Sequence, residues 1–193
     1  VQYPLVEGIT ALGSLLLFFK YGPSITYLFY FLFVAVLIAI TVIDLYHQII
    51  PDVISLPGIV IGLFGALATS LLDTPSMAIS QITFWTSLIG VISGGGSLFL
   101  VATVYQWLFK REGMGGGDVK LLAMIGAFLG WKAVILTIFL SSFIGSIIGI
   151  TVILIKGKDF KYAIPFGPFL ATGAVIALFW GEALIRWYLY INR

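Results

Sequence analysis

The chain has 193 residues, of which 61% are hydrophobic and 9% charged, with a net charge of +2 and a mean hydropathy of +1.15. Soluble domains are nearer half apolar and a quarter charged; this excess cannot be hidden in one core, and the bilayer is the natural solvent. The small net charge argues against nucleic acid as a partner. The lack of cysteine excludes disulfides and thiolate zinc sites, and a single histidine, His47, is too few for a protein-built zinc hydrolase. The first residue is Val1, with no basic segment ahead of it, so a fragment or processed form of a longer protein is expected.

Apolar runs separated by Gly, Pro or charge predict an all-α polytopic membrane protein. About seven helices are expected, near 4–20, 25–44, 53–72, 78–109, 118–130, 132–155 and 168–190. Most reach the ~20 residues that span the hydrocarbon. The fourth is long and is expected to project beyond the membrane toward Lys110. The fifth is short, which suits a thinned bilayer or a partly re-entrant segment shielded by its neighbours. SGGGS at 93–97, inside the fourth, reads as close helix packing by small residues. No internal repeat is visible.

Lys110, Arg111 and Lys120 fall between the fourth and fifth segments, and Lys156, Lys158 and Lys161 between the sixth and seventh. Lys20, Lys132, Arg186 and Arg193 fall on the other side. The positive-inside bias makes the first side cytoplasmic and places Asp44, Asp52 and the glycine loop there.

Acidic residues beside membrane segments are costly and are functional candidates by default. Glu7, Asp73, Asp159 and Glu182 lie at segment ends or in polar loops, and Glu112 sits beside Lys110 and Arg111. Asp44 ends the apolar run YLFYFLFVAVLIAITVID, and Asp118 stands at the mouth of the fifth helix on the same side. Two such carboxylates in one pocket cannot both ionise freely. One could then activate water while the other protonates the carbonyl oxygen and leaving amine. Each could equally be a helix cap: Asp118 suits an N-terminus, and Asp52, after Pro51, suits one even better. A serine–histidine hydrolase would have to rely on His47, with no nucleophile elbow in sight. GMGGGD lacks the GK[ST] ending of a Walker loop.

The stretches IDLYHQIIPDVISLP at 43–57 and GMGGGDVKLLAMIGAFLGW at 113–131 resemble the signature blocks of bacterial type IV prepilin peptidases, GxGD-type intramembrane aspartic proteases of the inner membrane. YPLVE at 3–7 and IPFGPFLATGA at 164–174 match further blocks, so the resemblance covers nearly the whole chain in order. It implies a single membrane-embedded peptidase domain over 1–193, with Asp44 and Asp118 as catalytic aspartates. It also implies cleavage of the basic leader of prepilins or type II secretion pseudopilins on the cytoplasmic side, after a glycine. No cofactor is expected for proteolysis. Many members then methylate the new N-terminus with S-adenosylmethionine. Typical members carry an N-terminal helix and a zinc domain with paired CxxC ligands before the YPLVE block; a chain starting at that block without cysteine is expected to lack zinc. Glu7 belongs to the YPLVE block and is a candidate for methylation or helix packing.

On this reading the prepilin's apolar helix reaches the site laterally between membrane helices, and its scissile peptide lies extended beside the loop. Gly113, Gly115, Gly116 and Gly117 would let backbone approach backbone. Lys120 would tune Asp118 or meet an acidic substrate group, unless it only attracts lipid headgroups. The expected partners are the prepilin segment and membrane lipid. The alternatives are a small proton- or cation-coupled transporter using Asp44 and Asp118, or a non-catalytic assembly factor.

Overall fold

A computed structural model describes residues 2–72, 82–110, 115–156 and 165–191. They form α1 (Gln2–Tyr21), α2 (Ile25–His47), α3 (Asp52–Leu72), α4 (Phe84–Phe109), α5 (Gly116–Lys156) and α6 (Gly167–Ile191). All six are long and apolar enough to cross a membrane, and the protein is an all-α polytopic membrane protein. Of the fourth expected segment, residues 78–81 lie outside the described residues.

Local chemistry sets the helix ends. Gly22 closes α1 at φ 62°, its N–H reaching the Phe18 carbonyl at 2.8 Å, and Ser24 then caps α2 by accepting the Tyr27 N–H at 3.2 Å. Ser70 near the end of α3 accepts the Phe84 N–H at 3.0 Å, which ties α3 to the start of α4.

The expected fifth and sixth segments are the two helical limbs of α5, which break at Gly130, where φ is 75° and ψ 173°. A Cβ placed on Gly126 would lie 3.0 Å from Val134 Cγ2. In a straight helix those positions are about 12 Å apart along the axis, so the chain folds back at Gly130. The first limb, Gly116–Leu129, is only about 21 Å long, short of the ~30 Å hydrocarbon. It is shielded by α3 on one side and α4 on the other.

Lipid supplies no hydrophobic drive for helices to associate, so close approach of backbones does much of the holding. A Cβ on Gly90 of α4 would overlap the Gly126 carbonyl of α5, and one on Gly94 would lie 2.5 Å from the Leu122 carbonyl oxygen. Ser87 adds an interhelix hydrogen bond to the Ala127 carbonyl. Of SGGGS, Gly94 and Gly95 pack in this way, and Gly96 faces open space. Phe128 of the same limb stacks between Phe33 of α2 and Phe29, with ring centroids 4.5 and 4.7 Å away. The second limb pairs with α6, where Gly173 meets Thr137 and Ser141 and Gly145 meets Phe169.

Gly95 lies level with Val119, so α4 runs about 20 Å past Asp118 before it ends at Phe109. Beyond Leu98 that tail is exposed and apolar, with Phe99, Trp107 and Phe109 outward.

Gly130 occupies a backbone region that only glycine visits easily, where a side chain costs about 1–3 kcal/mol. Gly130→Ala is expected to lower the apparent melting temperature of the detergent-solubilised protein by several degrees. Gly96→Ala, a helical position with nothing within 4 Å, should leave it unchanged or raise it. Equal melting temperatures for wild type and Gly130→Ala would contradict a strained reversal at that point.

Candidate active site

Asp44 sits in the last turn of α2. Its backbone carbonyl accepts the N–H of Gln48, which ends the helix in the left-handed region at φ 53°. The residue is 5% exposed, and its Oδ2 accepts a hydrogen bond from the Gly167 N–H at 3.0 Å. Gly167 is the first residue of α6, and Phe166 caps that helix by accepting the N–H groups of Phe169 and Leu170, each at 3.1 Å. The N–H of Gly167 has no intrahelical acceptor, and Pro168 has no N–H to offer. The carboxylate therefore meets an orphan donor at the positive end of a helix dipole.

Asp118 lies in the first turn of α5 and is half-buried, its own N–H bonded to the Gly115 carbonyl at 3.2 Å. Its carboxylate is within electrostatic reach of Asp44. Among the described residues no donor is hydrogen-bonded to it, so it is free to act on a molecule placed between the two.

Ile50 joins the two halves of the site. It is 7% exposed and precedes α3. A Cβ on Gly117 would lie 2.8 Å from the Ile50 Cβ, and a Cβ on Gly167 would lie 3.3 Å from Ile50 Cδ1 and 2.5 Å from Asp44 Oδ2. The N-termini of α3, α5 and α6 thus converge on one apolar wedge, with the two carboxylates beside it.

The loop glycines divide by position. Gly113 lies outside the described residues. Gly115 and Gly116 are exposed; a Cβ on Gly116 would meet nothing within 4 Å. Gly117 gives its space to Ile50. Lys120 pairs with Asp52, its Nζ 2.7 Å from both carboxylate oxygens. Both are partly exposed, so the pair is worth at most about 1 kcal/mol, and it fastens the start of α3 to the start of α5. His47 is exposed at the end of α2. Sequence reasoning did not single out Gly167 or Ile50. The signal for Gly167 was its place between two prolines in IPFGPF, where a helix start was to be expected.

Residues 31–150 match the type IV leader peptidase family, a stretch that holds both aspartates. The chain is 40% identical over 192 residues to the prepilin leader peptidase/N-methyltransferase of Aeromonas salmonicida (strain A449), covering 97% of this chain and 61% of that protein. It is 38% identical over 192 residues to the protein of the same name from Pseudomonas aeruginosa, covering 97% of this chain and 61% of the relative. It is 36% identical over 192 residues to that of Legionella pneumophila, covering 98% and 62%. The chain therefore spans about three fifths of the length of the curated relatives it matches. No solved structure matches it.

Gly167→Ala tests the anchor. Alanine favours the helix, yet its Cβ would push the Asp44 carboxylate off the amide. If the two carboxylates act as a hydrolytic pair, turnover is expected to fall at least about a hundredfold, the effect of misplacing a reacting group by about 1 Å, with helix content by circular dichroism unchanged. Wild-type turnover in this variant would remove Gly167 as an anchor.

Proposed function

The chain belongs to the type IV leader peptidase family, and on that footing we propose that it is an aspartic endopeptidase that removes the basic leader from type IV prepilins or pseudopilins at the cytoplasmic face of the bacterial inner membrane. The observation that carries this reading is the convergence of Asp44 and Asp118 from α2 and α5, within electrostatic reach of each other and beside three helix N-termini.

One carboxylate, ionised, takes a proton from a water held between the pair, and the hydroxide adds to the scissile carbonyl carbon. The other, protonated, gives its proton to the carbonyl oxygen. When the C–N bond breaks, the amine takes a proton from the pair; the leader leaves with a new carboxyl terminus and the mature chain with a new amine. Gly167 holds Asp44 through this cycle. The exposed backbone at Gly115 and Gly116 offers an edge on which an extended peptide can lie.

A membrane-facing cavity of about 220 Å³ supports lateral access by the substrate's apolar helix. Leu32 and Val36 of α2, Ile54 and Ile61 of α3 and Phe128 of α5 line it, and Ile54 lies just beyond the Ile50 wedge. The relatives' name adds an N-methyltransferase. S-adenosylmethionine would supply the methyl group for that step, for which Glu7 of α1 is the candidate residue.

Asp44→Asn and Asp118→Asn are each expected to abolish processing of a synthetic prepilin, by at least about 10³-fold for loss of a general acid or base, with folding retained. Cleavage at the wild-type rate by either variant removes that residue from the mechanism. Ile61→Trp narrows the groove between α2 and α3. It should raise KM several-fold for a prepilin bearing its apolar helix and leave a short leader–junction peptide unaffected. Equal effects on both substrates would argue against the lateral route.

A further inference from the structure

A cavity of about 760 Å³ lies at the end of the bundle away from the aspartates, bounded by the end of α1, the start of α4, the Gly130 reversal and residues 177–186 of α6. That volume is within the range of small-molecule sites. Three cations line it, Lys20, Lys132 and Arg186, against one carboxylate, Glu182. Glu182 is bonded to Arg186 at 2.9 Å, which leaves two positive charges in excess. Lys20 Nζ donates to the Leu178 and Phe179 carbonyls at 2.7 and 3.1 Å, which pins it in the wall. Among the described residues Lys132 has no carboxylate partner; its amine stands 5.9 Å from the Trp131 ring.

The remaining wall is apolar, including Tyr21, Tyr30 and Leu129. Cations at the rim above an apolar wall, at the level where the helices end, complement a molecule with one anionic and one hydrocarbon part. The geometry points to an anionic phospholipid bound here, its phosphate between Lys132 and Arg186 and an acyl chain against Tyr30 and Leu129. The reversal at Gly130 creates the site. The first limb of α5 stops short of the bundle's end, and the space beyond it is the cavity. The bound lipid fills a dent that would otherwise face the bilayer as a void.

The test is native mass spectrometry of the full chain in neutral detergent, with dioleoyl phosphatidylglycerol compared with dioleoyl phosphatidylethanolamine. Wild type is expected to retain one phosphatidylglycerol in clear preference. Lys132→Gln should weaken that retention about fivefold, the effect of one lysine near an anionic headgroup. Glu182→Gln, which deletes the one carboxylate among the described lining residues, should strengthen it. Lys110→Gln, at the other end of the bundle, should change nothing. Equal retention of the two lipids, or a Glu182→Gln effect in the same direction as Lys132→Gln, would overturn the proposal. Inorganic phosphate at millimolar concentration is expected not to displace the lipid; full displacement would make this a free-anion site and overturn the lipid assignment.

Discussion

The hydrogen bond from the Gly167 amide to the Asp44 carboxylate joins residues 123 positions apart and sets the geometry around it. A carboxylate at the end of a long apolar helix needs a donor that the helix itself cannot give. The start of another helix has such a donor to spare and adds the favourable end of its dipole. Once that contact is made, α6 must begin beside the end of α2, position 167 can carry no side chain, and Ile50 can settle between Gly167 and Gly117. Asp118 then arrives on the far side of the same wedge.

Asp118 reaches the level of Asp44 because the first limb of α5 is short. A limb of about 21 Å that began at the opposite surface would stop inside the hydrocarbon. Here it begins at the site and reverses at Gly130, and its backbone is covered where it is closest to its neighbours. Glycines at 90, 94 and 126 bring α4 into backbone contact with that limb, and Gly62 of α3 does the same from the other side. The short limb leaves the opposite end of the bundle hollow. The reaction end and the cationic cavity are thus two consequences of one reversal.

Much of this was legible in the chain itself. Asp44 and Asp118 stand out because charge is rare in these segments and each interrupts an apolar run. The helix ends follow from Gly22, Ser24, Pro51 and Gly130, whose effects are local. The break near 130–132 was visible, and the two helices expected on either side of it are there; that the second folds back on the first was not, because it depends on Val134 meeting Gly126. The sequence left Lys120 between Asp118, an acidic substrate group and lipid headgroups; its pairing with Asp52, 68 residues earlier, was not legible because it depends on where α3 begins beside α5. The anchor at Gly167 was invisible for a different reason. Every residue but proline has a backbone N–H, so a donor that matters leaves no mark on composition, and only the missing side chain hints at it.

The arrangement of neighbours also dictates how a membrane-borne chain can approach the carboxylates. The first limb of α5 is covered by α3 and α4, and the second limb is covered by α6, which also packs on α2. What remains is the seam between α2 and α3, which meet through the short 48–51 connection at one end and through Phe29 against Gly65 further along. Pro57 lies in that seam and leaves the carbonyl four residues before it without its helical donor, which loosens α3 where the groove opens. Meanwhile α4 runs about 20 Å past the site, with an exposed apolar surface beyond Leu98. On the proposed function, an apolar substrate helix sliding in the bilayer would enter by this seam among the described residues, while a charged segment attached to it would be held at the surface by the cost of leaving water. Under that proposal the peptide bond at the junction of the two would be the one brought to the carboxylates.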